Sequence, residues 1–198
     1  MSLVVLGLNH RTAPIEVRER IVFDAARLPE ALASLCALPG LQEALIVSTC
    51  NRTEIYCTGL AATGPLADWL AASSGGGCTL ADCLYRIEDA DAVRHVFSVA
   101  SGLDSLILGE PQILGQLKDA YRAAQQAGAA GPLLNRLFQT TFSVAKQVRS
   151  ETAIGASAVS VASAGIQLAR RIFSGFEQHT ALLVGAGDMI ELAARHLH

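Results

Sequence analysis

Short apolar runs bounded by polar turns, with amphipathic stretches between them, organise the first half of this chain. Leu3-Val4-Val5-Leu6-Gly7-Leu8 reads as a strand that ends at the turn Asn9-His10-Arg11-Thr12. Asp24 is placed to cap a helix from Ala25 to Leu38, which Pro39-Gly40 stops. Ala44-Leu45-Ile46-Val47 reads as a buried strand, and Ile55-Tyr56-Cys57-Thr58 follows almost at once as its partner. Pro65 opens a second helix through Trp69, closed by Ser73-Ser74-Gly75-Gly76-Gly77, and Leu84-Tyr85-Arg86-Ile87 is a short last strand. The order βαββαβ, with crossover helices on one sheet, predicts an α+β domain of ferredoxin-like type with added helices.

Beyond residue 88 the period changes to that of helices. Asp91 is placed to cap a helix through Val99, and a longer one is expected from Pro111 to Gln126. Gly128 to Pro132 interrupts the pattern, and Pro132 suits a first helical turn. Leu134, Leu137, Phe138, Thr141, Ala145 and Val148 then recur on one face. A further helix is expected from Val159 to Phe173. Near the end, Ala181-Leu182-Leu183-Val184 predicts a strand leading through Gly185-Ala186-Gly187 into a helix at Asp188-Met189-Ile190. Such a turn lets a pyrophosphate approach the backbone at a helix N-terminus. Ile190 stands where the usual fingerprint has its third glycine, so a tight β–α turn without a ligand fits the residues as well.

Composition narrows the class. The chain has 198 residues, of which 51% are hydrophobic and 17% charged, a globular balance and not a disordered one. The early apolar run is far too short to span a bilayer and lacks the flanks of a signal peptide. Five cysteines, odd in number and without a Cys-x-x-Cys pair, suit neither a zinc site nor a disulfide framework; a reducing cytoplasm is the expectation. A net charge of -3 argues against general nucleic-acid binding but is compatible with a local basic face.

Chemistry concentrates in Ser48-Thr49-Cys50-Asn51-Arg52-Thr53-Glu54. Cys50 falls at a strand end, where a rigid sheet can present a thiol to a cleft, and Arg52 is a neighbouring cation able to favour the thiolate. The bland alternative is a small buried hydrophobe. Ser105 to Gln116 sets polar groups into an apolar stretch, with Gln112 and Gln116 on one helix face. Internal hydrogen bonding explains those groups equally well. His95 lies among Val96, Phe97 and Val99, the setting of a packing residue. Arg136, Lys146, Arg149, Arg170 and Arg171 read mostly as solvated helix faces, some within reach of phosphates.

Several stretches together resemble one family, glutamyl-tRNA reductase. They are Gly7-Leu8-Asn9-His10-Arg11-Thr12-Ala13-Pro14, Ser48 to Glu54, Ala100-Ser101-Gly102-Leu103-Asp104-Ser105 with Gly109-Glu110-Pro111-Gln112-Ile113, Ser143-Val144-Ala145-Lys146, and Gly155-Ala156-Ser157-Ala158-Val159-Ser160. The resemblance implies a catalytic domain over 1–155, a connecting helix over 156–178 and, over 179–198, a truncated Rossmann-type α/β start of an NADPH domain. Family members continue through a full NADPH domain and a helical dimerisation domain.

The implied reaction is attack of Cys50 on the ester of glutamyl-tRNA, then reduction of the thioester by NADPH to glutamate-1-semialdehyde, the first step of tetrapyrrole synthesis from glutamate. Neither metal nor flavin is implied. By the resemblance Thr49, Asn51 and Arg52 bind substrate, with Arg52 on the glutamate side-chain carboxylate. Ser105, Glu110, Pro111, Gln112 and Gln116 form a second binding segment, with Glu110 on the α-ammonium. His95 matches a histidine linked to activity and becomes a candidate proton handler, and Gly185, Ala186, Gly187, Asp188, Met189 and Ile190 become the cofactor turn. Implied partners are glutamyl-tRNA, the downstream glutamate-1-semialdehyde aminomutase and a second copy in a cytoplasmic homodimer, with no membrane. The alternatives are a cysteine-dependent hydrolase or acyltransferase acting on aminoacyl esters, and a non-catalytic tRNA- or partner-binding module.

Overall fold

Seven consecutive residues, Leu3–Asn9, form strand β1, and all seven are buried. An apolar run without alternation is what a strand covered on both faces requires. The computed structural model describes residues 2–59, 63–75, 80–154, 161–173, 175–185 and 188–197. Strand β1 is followed by the short helix α1 (Ile15–Arg18), helix α2 (Leu28–Cys36), strands β2 (Glu43–Ser48) and β3 (Arg52–Thr58), helix α3 (Gly64–Ser73) and strand β4 (Tyr85–Glu88). Helices α4 (Asp89–Ala100), α5 (Gln112–Gln126), α6 (Pro132–Glu151), α7 (Val161–Ile172) and α8 (Asp188–Leu197) complete the order.

The strands make one antiparallel sheet in the order β2-β3-β1-β4. Helices α2 and α5 pack on β2, and α4 packs on β1 and β4. Strand β2 lies at the sheet edge, and its Ala44 N–H donates to the carbonyl of Ala129 at 2.9 Å. Glu43 on the same strand accepts from the N–H groups of Leu133 (3.1 Å) and Leu134 (2.7 Å). A carboxylate thus meets the unpaired donors that open α6, where Pro132 takes the first position.

The elements depart from expectation at three places. Pro14 starts the four-residue α1, too short to show a period. Asp24 accepts from Ala26 and Arg27 through Oδ1 within a turn that precedes α2, whose N-cap is Arg27 and which begins only at Leu28. Helix α4 starts at Asp89, which adopts φ 46° and accepts from the Leu3 N–H. Asp91 pairs with Arg94 instead of capping.

A larger correction concerns the Rossmann-type start. Ala181–Gly185 carries no strand, and Leu182 and Val184 stay 86% and 80% exposed. No neighbouring strand among the described residues offers the segment a hydrogen-bonding partner, and an isolated strand is not stable in water. The helix expected after the turn does form as α8, packed against α7. Ala186 and Gly187 lie outside the described residues, as do the side chains of Asp188 and Met189, the stretch Gly155 to Ser160, Cys78 and His198.

Candidate active site

Strands β2 and β3 are joined by Thr49-Cys50-Asn51 alone, so Cys50 stands at a hairpin tip. The tip is stiff. Thr49 N–H donates to the Arg52 carbonyl at 2.8 Å, and Thr49 Oγ1 accepts from the N–H groups of Asn51 and Arg52, both at 3.2 Å. That Ser/Thr turn leaves Cys50 exposed, in contrast to Cys57, which is fully buried. Of the two readings open for Cys50, burial as a small hydrophobe is therefore removed.

The second wall comes from the loop between α4 and α5. Gly102 and Gly109, at φ 76° and 81°, close it with a 2.9 Å bond from Gly109 N–H to the Gly102 carbonyl. A Cβ on Gly102 would lie 3.0 Å from Gly109 Cα, so the close approach depends on glycine. Thr49, Cys50, Asn51, Arg52, Ser105, Glu110, Gln112 and Gln116 line one cleft of about 30 Å³, together with Leu106 and Ile113. Pro111 is exposed and His95 does not line the cleft. Glu110 is only 8% exposed, yet its carboxylate has no hydrogen-bond or ion-pair partner among the described residues. The amides of Gln112 and Gln116 are likewise unengaged among the described residues.

Arg52 is 2% exposed and held from inside the protein. Its Nη1 donates to Glu54 Oε1 at 2.5 Å, and its Nη2 to Asp104 Oδ2 at 3.0 Å and to the Asp104 carbonyl. Asp104 also pairs with Arg11 at 2.9 Å. Glu54, fully buried, accepts besides from Tyr56, Tyr85 and His95, the last at 2.9 Å through Nε2. An ionised carboxylate only accepts, so Nε2 of His95 carries a hydrogen. Burial alone would raise the Glu54 carboxyl; Arg52, then His95 and Tyr56, outweigh it and hold it at about 2. Arg52 is affected by burial in the opposite sense, and Glu54, the tyrosines and Asp104 carry it above its ordinary value. Burial, and then the Glu54 charge, raise both tyrosine hydroxyls.

These contacts change two roles expected from sequence. The cation acting on Cys50 is Arg18 and not Arg52. Arg18 on α1 donates from Nη1 to the Cys50 carbonyl and to Asn51 Oδ1, the latter at 3.2 Å. The Cys50 thiol is nevertheless shifted upward, first by the protein around it displacing water and then by the Glu110 charge, with Arg18 opposing. Burial raises Glu110 as well. His95, expected as a proton handler, connects to the cleft through Glu54 and Arg52. Arg18, Glu54, Asp104, Tyr56 and Tyr85 received no role from sequence. Only Glu54 and Asp104 had a signal, as charged residues inside the shared motifs.

His10 adjoins the tip, its N–H donating to the Asn51 carbonyl at 2.9 Å. Burial, with Arg11 and Arg52 near, lowers its pKa, and its Nδ1 is buried without a partner.

Of the expected cofactor turn, Gly185, at φ 137°, precedes α8, and Ile190 lies in the first turn of that helix. Ala186, Gly187 and the side chains of Asp188 and Met189 lie outside the described residues.

Comparison with known proteins follows the same geography. A family profile described as "Glutamyl-tRNAGlu reductase, N-terminal domain" matches residues 6–152, the stretch that holds the sheet and the cleft. A glutamyl-tRNA reductase of Stenotrophomonas maltophilia is 55% identical over 197 residues, covering 100% of this chain and 45% of the relative. One from Marinobacter nauticus is 54% identical over 199 residues and is covered to 46%. The solved glutamyl-tRNA reductase from Methanopyrus kandleri superposes with a TM-score of 0.70 at 34% identity, over 98% of this chain and 46% of that one. The chain thus spans about 45% of the length of the curated relatives it matches. It belongs to the glutamyl-tRNA reductase family.

Proposed function

We propose that Cys50 accepts the glutamyl group of glutamyl-tRNA, on a ferredoxin-like sheet that holds nucleophile and binding groups in one cleft. The Cys50 sulfur, as thiolate, attacks the ester carbonyl; a carbon–sulfur bond forms, the carbon–oxygen ester bond breaks, and the tRNA hydroxyl leaves with a proton from water. The observation that carries the reading is Glu110, 8% exposed and without a hydrogen-bond or ion-pair partner among the described residues, in one cleft with an exposed thiol. The Glu110 oxygens are open to the cleft, where an incoming α-ammonium can pair with them. Gln112, Gln116, Ser105, Thr49 and Asn51 offer further polar groups to the glutamyl moiety, and Pro111 sets the loop at the start of α5. Arg52 meets the side-chain carboxylate only by sharing the guanidinium with Asp104. His95 and Glu54 position that guanidinium.

The cleft of about 30 Å³ is far below the ~300 Å³ at the low end of ligand sites, so substrate enters as the loop over 102–109 moves. Leu103, Leu106 and Leu108 on that loop are 47%, 56% and 61% exposed and are free to repack. A second feature suits the RNA. A groove of about 620 Å³ between α5 and α6 is lined by Lys118, Lys146 and Arg149, none of which has a carboxylate partner among the described residues. Arg149 donates to the Gly109 carbonyl at 3.1 Å, beside Glu110, so phosphates lying in the groove adjoin the segment that forms the cleft.

In proteins of the relatives' full length, the thioester is the acceptor for hydride from NADPH, giving glutamate-1-semialdehyde at the first step of tetrapyrrole synthesis. A cytoplasmic homodimer that passes the semialdehyde to an aminomutase belongs to the same reading. The test is to mix the purified chain with tRNA carrying labelled glutamate, quench in acid and locate the label by mass spectrometry. Label on Cys50, absent in Cys50→Ser, is the expected result. Label on another cysteine, or none, rejects the proposal.

A further inference from the structure

The glutamyl group cannot reach Cys50 alone. Every tRNA carries its amino acid on the ribose of a terminal adenosine, and the reacting carbonyl must come within roughly 3–3.5 Å of the sulfur. Ribose and adenine therefore lie immediately outside the Cys50 cleft. That cleft, at about 30 Å³, has no room for them.

A cavity of about 570 Å³ opens next to it, between α2, α5 and β2, and Gln116 is a wall of both. Its volume is within the range of small-molecule sites. The floor is apolar, made by Phe23, Leu28, Ile46 and Ala123, as the face of a base requires. Gln126 stands exposed at the rim with its amide unengaged among the described residues; a glutamine amide matches the paired donor and acceptor of adenine N6 and N7. The floor is also tied to the nucleophile. Phe23 N–H donates to Ser48 Oγ at 3.0 Å, at the end of β2 and two residues before Cys50. By contrast, the groove between α5 and α6, where Lys118, Lys146 and Arg149 stand beside Leu114 and Phe142, shares no wall with the cleft and so is not continuous with it.

We infer that the cavity between α2 and α5 seats the terminal adenosine of the acylated RNA. The inference rests on the acylation of Cys50 proposed above. It makes the base a part of substrate recognition, not only the amino acid and the phosphates.

Two minimal substrates separate these contributions: 2′(3′)-O-glutamyl-adenosine and the 2′(3′)-O-glutamyl ester of methyl ribofuranoside, which keeps the reactive ribose ester and lacks the base, each mixed with this chain while Cys50 acylation is followed by mass. The adenosyl ester should acylate at least about tenfold faster, equivalent to ~1.4 kcal/mol, within the worth of one stacked base. Ala123→Phe, which fills the cavity, should remove that advantage and leave the base-free ribosyl ester unchanged. Gln126→Ala, at an exposed position where folding is not at stake, should reduce it.

An independent readout is built in. Trp69 is the single tryptophan and stacks on Phe23 at 5.6 Å, so adenosine 5′-monophosphate filling the cavity should change its emission saturably. Equal acylation rates for the two esters, or Trp69 emission unmoved by millimolar nucleotide, would overturn the inference. Failure of both esters to acylate Cys50 would instead overturn the proposed function, and the Trp69 titration would still decide the cavity.

Discussion

Gly7 faces Glu54 across the β1–β3 pair, and a Cβ on Gly7 would lie 2.8 Å from Glu54 Cγ. The same Cβ would lie 2.7 Å from the Thr53 carbonyl oxygen, so backbone as well as side chain must give way. Gly7→Ala should therefore displace the carboxylate that holds Arg52. The expected cost is about 1–3 kcal/mol from overpacking, read by chemical denaturation, with slower Cys50 acylation at temperatures where the variant is folded. Wild-type stability in Gly7→Ala would show that the sheet relaxes without moving Glu54.

Glu54 also sets an acid limit on stability. Its carboxyl is held at about 2 in the folded chain against an ordinary 4.5, so the unfolded chain binds more protons between those values. The stabilisation is fully present above about 4.5 and is lost as pH falls toward 2. Glu54→Gln should flatten that acid limb. It should also lose roughly 3–5 kcal/mol at neutral pH by leaving Arg52 with a single carboxylate partner. Urea midpoints measured across that pH range check both statements.

The Cys50 thiol is raised by its surroundings and by Glu110, and lowered by Arg18. Removing the anion in Glu110→Gln should move the pH profile of Cys50 alkylation by iodoacetamide toward lower pH. Removing the cation in Arg18→Ala should move it higher. Cys57 is pushed up to about 12 by burial and should not contribute. Opposite or absent displacements would show that neither charge acts on the sulfur.

Charge reversal at Lys118 and Lys146, both exposed, should weaken binding of tRNA while leaving the fold intact. If each meets a phosphate, the slope of log K against log salt should shrink by ~1–2 for the pair. An unchanged slope would place the RNA backbone elsewhere.

The hydrophobic pattern by itself determined the four strands and the positions of the long helices, because a continuous or periodic apolar run has few ways to be buried. The spacing of Gln112 and Gln116 put them on one face of α5, and both line the cleft. The shared motifs brought Cys50 and Glu110 together as candidates, and the hairpin tip and the glycine-closed loop supply the physical reason they meet.

Only the tertiary structure decided what the charges do. Arg52 is the cation nearest to Cys50 in sequence, yet Cys50 lies in the hairpin tip outside both strands while Arg52 opens β3, and its guanidinium turns inward to Glu54 and Asp104. Arg18, thirty-two residues away, takes its place at the cysteine because α1 folds back on the tip. The Ala181–Val184 segment shows the same limit from the other side. Its residues have the composition of a strand, but a strand is a relation between chains of hydrogen bonds, and no described neighbour completes it.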